Sequence, residues 1–361
     1  MKWSLILGRF AGIKVMIHWT FLILIAWIVF VEVQRGSNTT DILITIGFVL
    51  TIFLFVVLHE FGHALTARRF GIDTKKITLL PIGGVASLEK MPEEPKRELL
   101  IAIAGPAVNV ALAILLAFFV DFGKFSDSEQ LQNMQSINNQ NFLFSLFAVN
   151  VMLVLFNAIP AFPMDGGRVL RAVLAMKMDR VKATNIASRL GQFAAIGFVF
   201  FGLLYNPILI LIGIFIFFGA YSENMIVQHL ELLKGFQVKD AMMTNFTRLS
   251  SDSTLKDAAD GLLSGNDDNL IVLDGEKVVG ILPRNQLISS LKDKNMERRV
   301  DSIMFKDFKS VNYDHKLTDI YATLQKKKDT IIPVLDDERL VGAINMQNIN
   351  EFVMIQSSLN Y

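Results

Sequence analysis

Apolar positions crowd the first 230 residues of the chain and follow no short period. Runs long enough to cross a bilayer, at about 20 residues each, fall near 14–32, 42–66, 99–120, 141–160, 186–205 and 207–226. Ser188, Arg189 and Gln192 blur the start of the fifth run, and Asn206-Pro207 marks a tight turn before the sixth. The pattern predicts a polytopic α-helical membrane protein with about six transmembrane helices. The N-terminal stretch MKWSLILGRFAGIKVMIHWTF has Lys2, Arg9 and Lys14 spread through it and no small-residue cleavage site. It reads as an interfacial amphipathic segment leading into the first span, not as a secretory signal.

Two regions depart from this pattern. Residues 72–90, IDTKKITLLPIGGVASLEK, combine strand-favouring Ile77, Thr78 and Val85 with Pro81 and Gly83-Gly84, which break helix. A small sheet or re-entrant loop is expected there, since non-helical backbone at membrane depth needs cover from protein or water. Its edge would suit an extended peptide bound by strand addition; a cytoplasmic hairpin without a role is the plainer alternative. Beyond Glu231 the chain becomes ordinary in polarity and repeats itself. VKDAMM (238–243) resembles VDSIM (300–304), and LIVLDGEKVVGIL (270–282) resembles IPVLDDERLVGAI (332–344). Gly280 and Gly342 lie 62 positions apart, as do Leu255 and Leu317. Each unit reads β-α-β-β-α, so a soluble α/β domain of paired repeats is expected. The organisation predicted is a membrane domain at 1–230, a linker at 231–237, and repeats at 238–296 and 297–358.

Composition adds bounds. Hydrophobic residues make up 52% and charged residues 19%, and the mean hydropathy of +0.43 is too apolar for an ordinary soluble protein. A net charge of +1 gives no sign of a nucleic-acid partner. The chain has no cysteine, so disulfides and thiolate-held metals are excluded. Lys and Arg concentrate in 1–14, 68–97 and 168–182, while the opposite loops hold Arg35 and Lys124 beside Asp121, Asp127 and Glu129. The basic side should face the cytoplasm. The expected location is therefore the cytoplasmic (inner) membrane, with the N-terminus and the C-terminal repeats both cytoplasmic.

The candidate chemistry sits inside the second run. DILITIGFVLTIFLFVVL (41–58) carries no charge after Asp41 and continues without a break into His59-Glu60-Phe61-Gly62-His63. An ionisable group at the centre of a bilayer costs about 2.5–3.5 kcal/mol on insertion scales, so three together imply a shared buried partner. On a helix His59 and His63 share a face. Both can reach one Zn²⁺, with Glu60 beside it as general base. In a soluble helix the same motif is often a solvated face, a reading that lipid removes. A catalytic zinc takes three protein ligands and keeps one position open. Candidates for the third are Asp165, in NAIPAFPMDGGRVL (157–170), and His18; Asp165 could instead cap the helix that follows, and His18 could be an interfacial residue. His229 and His315 are poorly placed.

Taken together, LHEFGHALTARRFGI, the Gly83-Gly84 loop, IAGPAVN (103–109) and NAIPAFPMDGGR resemble the site-2 protease family of intramembrane zinc metalloproteases across roughly residues 10–225. The C-terminal repeats resemble a tandem pair of cystathionine-β-synthase (CBS) domains. That combination is similar to the subgroup containing the sporulation protease that processes a pro-sigma factor. The resemblance implies His59, His63 and Asp165 as ligands of one Zn²⁺ per chain, with Glu60 as the catalytic base. It implies Asn157 near the substrate backbone, Gly83 and Gly84 in substrate presentation, and Gly105, Pro106 and Asn109 packed near the site. It also implies a membrane-protein substrate within the lipid bilayer, a CBS pair that gates access or recruits substrate, and a homodimer through the CBS domains. Nucleotide-binding CBS units often end in a stretch whose Thr and Asp hold phosphate and ribose. Here Pro283 and Gln286 stand at those positions in the first repeat, and Asn345 and Asn348 in the second. This departure weighs against an adenine nucleotide and towards dimerisation or substrate docking. Two other classes remain at this point: an inactive, chaperone-like membrane binder and a CBS-regulated transporter.

Overall fold

The computed structural model describes residues 4–81, 83–88, 92–125, 137–264, 269–326 and 331–359. These group into two units, Met1–Met225 and Ile226–Tyr361. In the first, the segment expected to be interfacial and amphipathic is strand. Strands β1 (Ser4–Phe10) and β2 (Ile13–His18) form a hairpin across Ala11 and Gly12, whose φ values of 48° and 82° suit a two-residue turn matched to strand twist. The 14–32 run thus divides into a strand and helix α1 (Thr20–Gln34). Strands β3 (Thr74–Leu80) and β4 (Gly83–Leu88) complete a sheet of order β1-β2-β3-β4, with β2 and β3 parallel and the other pairs antiparallel. The expected small sheet is therefore present, enlarged by the N-terminal hairpin. Ile13, Ile77 and Ala64 are buried together, as are Phe21, Phe53 and Leu79, which seats one sheet face on helix α2 (Thr39–Arg69).

The remaining helices of this unit are α3 (Pro95–Ala117), α4 (Phe142–Ala158), α5 (Asp165–Ala175), α6 (Arg180–Leu204) and α7 (Ile208–Leu232), the last running on into the second unit. Among the described residues four helices are long and apolar enough to cross a membrane: α2, α3, α6 and α7. Helices α1 and α4 are apolar but shorter. Gly62 lets α2 and α3 approach closely, because a Cβ there would stand 2.6 Å from the Ala104 carbonyl oxygen.

The second unit is built twice. One sheet has the order β5 (Arg248–Ser250), β6 (Asn269–Asp274), β7 (Lys277–Pro283); the other is β8 (Val311–Asn312), β9 (Ile332–Asp336) and β10 (Arg339–Ile344). Helices α8 (Leu255–Ser264), α9 (Arg284–Leu291), α10 (Leu317–Lys326) and α11 (Met346–Leu359) cover them. The β-α-β-β-α reading holds in both halves. The halves also exchange their leading segments. Met243 bridges to Ala343 and Phe305 to Ile281, while Met242 packs on Gly342 and Met304 on Gly280. Each partner recurs 62 positions on, so the repeat in sequence is a pseudo-two-fold in space. Leu233 is fully buried in the core of this unit with Val238, Leu317 and Ile349.

Candidate metal centre

His59 and His63 follow twenty helical residues of α2, and Arg69 ends that helix. At about 1.5 Å per residue, His63 lies about 9 Å and His59 about 15 Å inside the helix end. Both are buried, at 7% and 4% exposure. Asp165 joins them from the first turn of α5. Its helix cap is the preceding Met164, and no side chain caps this helix. The Asp165 carboxylate instead turns to the histidines: Oδ2 lies 3.0 Å from His59 Nε2 and 3.1 Å from His63 Nε2, and the two Nε2 atoms are 3.1 Å apart. Among the described residues this is the one group of His, Asp and Glu arranged to hold a metal ion.

The donor chemistry fits zinc. His63 Nδ1 is 2.7 Å from the Ile101 carbonyl oxygen, which can only accept, so Nδ1 carries the proton and Nε2 presents its lone pair. His59 Nε2, His63 Nε2 and Asp165 Oδ2 thus converge to within 3.1 Å of one another, three atoms that can each give a lone pair to one shared cation. Tetrahedral ligands about 2.0–2.1 Å from zinc are about 3.3 Å apart, close to this spacing. Nitrogen and carboxylate donors in a Cys-free chain also suit zinc chemically. His59 Nδ1 is buried with no hydrogen-bond partner among the described residues, so the polar contacts of that ring are all made by Nε2.

Glycines make the convergence possible. A Cβ on Gly105 would overlap His63 Nε2 and stand 2.7 Å from His59 Nε2, inside the donor cluster itself. Cβ atoms on Gly166 and Gly167 would collide with backbone at Ala158, Ile159, Ala161 and Phe162, so both glycines let α5 lie against the chain that precedes it. Gly84 of β4 lies over Glu60: a Cβ there would be 2.9 Å from Glu60 Cγ. Gly83 has φ of +135°, a conformation that L side chains rarely adopt, and pairs with Leu80.

The other expected residues are less central. Asn157 lies in the last turn of α4 with its Nδ2 donating to Leu153 O at 3.0 Å, a bond within its own helix. Pro106 lies inside α3, and Asn109 is buried, its backbone oxygen accepting from Asn150 Nδ2 at 2.7 Å. His18 stays outside the cluster, with Nδ1 2.8 Å from Thr20 Oγ1. Sequence reasoning overlooked a second polar core. Arg171, fully buried, donates through Nε and Nη2 to Glu98 Oε1 and through Nη1 to Glu223 Oε1 at 2.8 Å. Arg180 adds Nη2 at 3.6 Å from Glu98 Oε2. By sequence both arginines belong to the basic 168–182 stretch and read as loop cations. Four charged residues of both signs within mostly apolar or small-residue helices, Glu98, Arg171, Arg180 and Glu223, were the available signal. The network ties α3, α6 and α7 to the helix that carries Asp165.

Both parts of the chain resemble known protein families. Residues 47–198 match peptidase family M50, and residues 238–293 and 300–355 each match the CBS domain. A zinc metalloprotease of Methanocaldococcus jannaschii is 37% identical over 283 residues, which span 78% of each chain. The solved structure of a site-2 protease from the same organism is 38% identical, covers 62% of this chain and 95% of its own, and superposes with a TM-score of 0.45. Stage IV sporulation protein FB of Bacillus subtilis is 29% identical over 139 residues, 38% of this chain and 43% of that one.

Proposed function

The chain belongs to peptidase family M50, the site-2 protease family, and from that membership we propose that this zinc metalloendopeptidase cuts a membrane-embedded or membrane-associated protein near the cytoplasmic face of the bilayer. The observation that carries the proposal is the convergence of His59, His63 and Asp165 on one point well inside a membrane-capable helix. It also favours the enzyme over the binder and transporter readings.

His59, His63 and Asp165 would hold one zinc ion. Zinc supplies Lewis acidity, which eases deprotonation of water and polarises a carbonyl. Glu60, one residue from a ligand and packed under Gly84, would take the proton from the attacking water and pass it to the leaving amine. Strand β4 is the edge of its sheet and lies over Glu60, so an extended substrate paired to it would run past the base. Pairing of this kind matters because the carbonyls of an intact substrate helix are already hydrogen-bonded; strand addition stabilises the unwound form. Asn157 would meet the substrate backbone from the end of α4. Six spans would put the N-terminus and the CBS pair in the cytoplasm, with the protease domain at 1–230, a linker at 231–237 and CBS repeats at 238–296 and 297–358.

We also infer that the CBS pair controls access or substrate docking and associates as a homodimer. Asn345 and Asn348 already bond reciprocally, each side-chain oxygen accepting from the other's backbone N–H at 3.0 Å, and so cap α11. That leaves them ill placed to hold phosphate and ribose.

The test is cleavage of a tagged single-span substrate by protein reconstituted in liposomes, with the cut located by mass spectrometry. A cut within the span near the cytoplasmic end, faster when Gly or Pro weakens the substrate helix, supports the reading. A cut confined to soluble loops would overturn the intramembrane assignment.

A further inference from the structure

Arg9, Lys14 and Lys76 form a row of like charges across three strands. Arg9 pairs with Lys14 on β2, and Lys14 pairs with Lys76 on β3. Paired positions place their side chains on the same sheet face, and like charges directly opposite one another destabilise a sheet. The opposite face carries Ile13, Val15, Ile77 and Leu79, all buried. None of the three cations has a carboxylate partner among the described residues.

The row borders a cavity of about 560 Å³ whose lining also includes Arg68, Asp73 and Thr74. Thr74 is 7% exposed, and its hydroxyl is buried with no hydrogen-bond partner among the described residues. Arg68 belongs to the last turn of α2, and its Nη1 donates to Ala11 O at 2.8 Å, fixing the hairpin turn to the helix end. The end of a membrane-capable helix marks headgroup depth. On the same hairpin Leu5, Leu7 and Phe10 are 69%, 52% and 57% exposed. A wall with apolar residues on one side and unneutralised cations on the other matches an acyl chain joined to a phosphodiester.

We propose that this cavity binds the phosphate headgroup of an anionic phospholipid, with Arg9, Lys14, Lys76 and Arg68 as its charge partners and Thr74 as a hydroxyl donor. The lipid would lock the hairpin, and with it β3, onto α2. The site is distinct from the donor cluster, and its test does not depend on proteolysis.

The experiment uses the full chain in nanodiscs of phosphatidylcholine, alone or mixed with phosphatidylglycerol, read by thermal melting and by native mass spectrometry of retained lipid. Wild type should melt higher with phosphatidylglycerol and retain it selectively. Lys14→Gln should be at least as stable as wild type in phosphatidylcholine, because repulsion is relieved. It should lose about five-fold in selective retention, the size expected for one cation near an anionic surface. Thr74→Val, nearly isosteric, should lose selectivity without losing stability in phosphatidylcholine. Equal melting in both lipids, or a gain unchanged in both variants, would overturn the proposal. Inorganic phosphate that reproduces the full gain would overturn the lipid source in favour of a free anion. An acidic peptide that displaces the retained lipid and stabilises more would reassign the cavity to a protein segment.

Discussion

Replacing Gly105 by Ala tests how the donor cluster is held. The added Cβ would stand 2.5 Å from His63 Cε1 and 2.7 Å from His59 Nε2. Non-bonded carbon contacts settle at about 3.5–4.0 Å, so each ring must retreat by roughly 1 Å. Metal sites tolerate ligand displacements of about 0.2 Å. His63 cannot retreat freely, because Nδ1 is tied to Ile101 O on the same helix that carries Gly105. Loss of a supporting contact alone weakens metal binding about 10–100-fold. Displacement of two ligands at once should reach or exceed the upper figure, about 2.7 kcal/mol at 1.36 kcal/mol per decade. Competition with a chromogenic chelator measures this affinity directly, and helicity by circular dichroism checks that the bundle persists. Wild-type zinc affinity in a folded Gly105→Ala protein would refute the reasoning.

Other perturbations probe separate parts of the account. Arg171→Met leaves the buried Glu98 and the half-buried Glu223 without their main partner and should cost about 3–5 kcal/mol, read by denaturant unfolding in micelles; Arg171→Met with Glu98→Gln should recover part of the loss. An unchanged unfolding midpoint in the single variant would show that the network contributes nothing. Gly84→Val should crowd Glu60, lowering turnover while zinc stays stoichiometric, whereas parallel loss of zinc would mean that β4 supports the ligands instead. Titration of the full chain with AMP should give no saturable heat, and Asn345→Thr with Asn348→Asp should create binding; tight binding by wild type would contradict the capping role.

How much of this was legible in the sequence depended on which forces were local. The spacing of His59 and His63 is a property of one helix, so their shared face followed directly. Asp165 was only one of two candidates until the backbone brought α5 to α2. Only the family resemblance put Gly105 near the site; the room it clears for the histidines is not a property of spacing, since a glycine's clearance depends on which helix crosses it. The strand at the start of the 14–32 run is hidden in the sequence because its period is masked. Leu5, Ile6 and Leu7 are exposed and apolar, while Ile13 and Val15 are buried and apolar. A strand with apolar residues on both faces loses its alternation and reads as one continuous run. Repetition made the second unit easier, because two copies of a weak pattern reinforce each other.

Zinc content and turnover, measured on the same preparations of wild type and Glu60→Gln, test the central claim most directly. Wild type should hold one zinc per chain and cleave a transmembrane substrate, with activity lost to a chelator and restored by zinc. Glu60→Gln should keep the zinc and cleave nothing. Turnover by Glu60→Gln at the wild-type rate, or wild-type cleavage that survives complete removal of zinc, would contradict it.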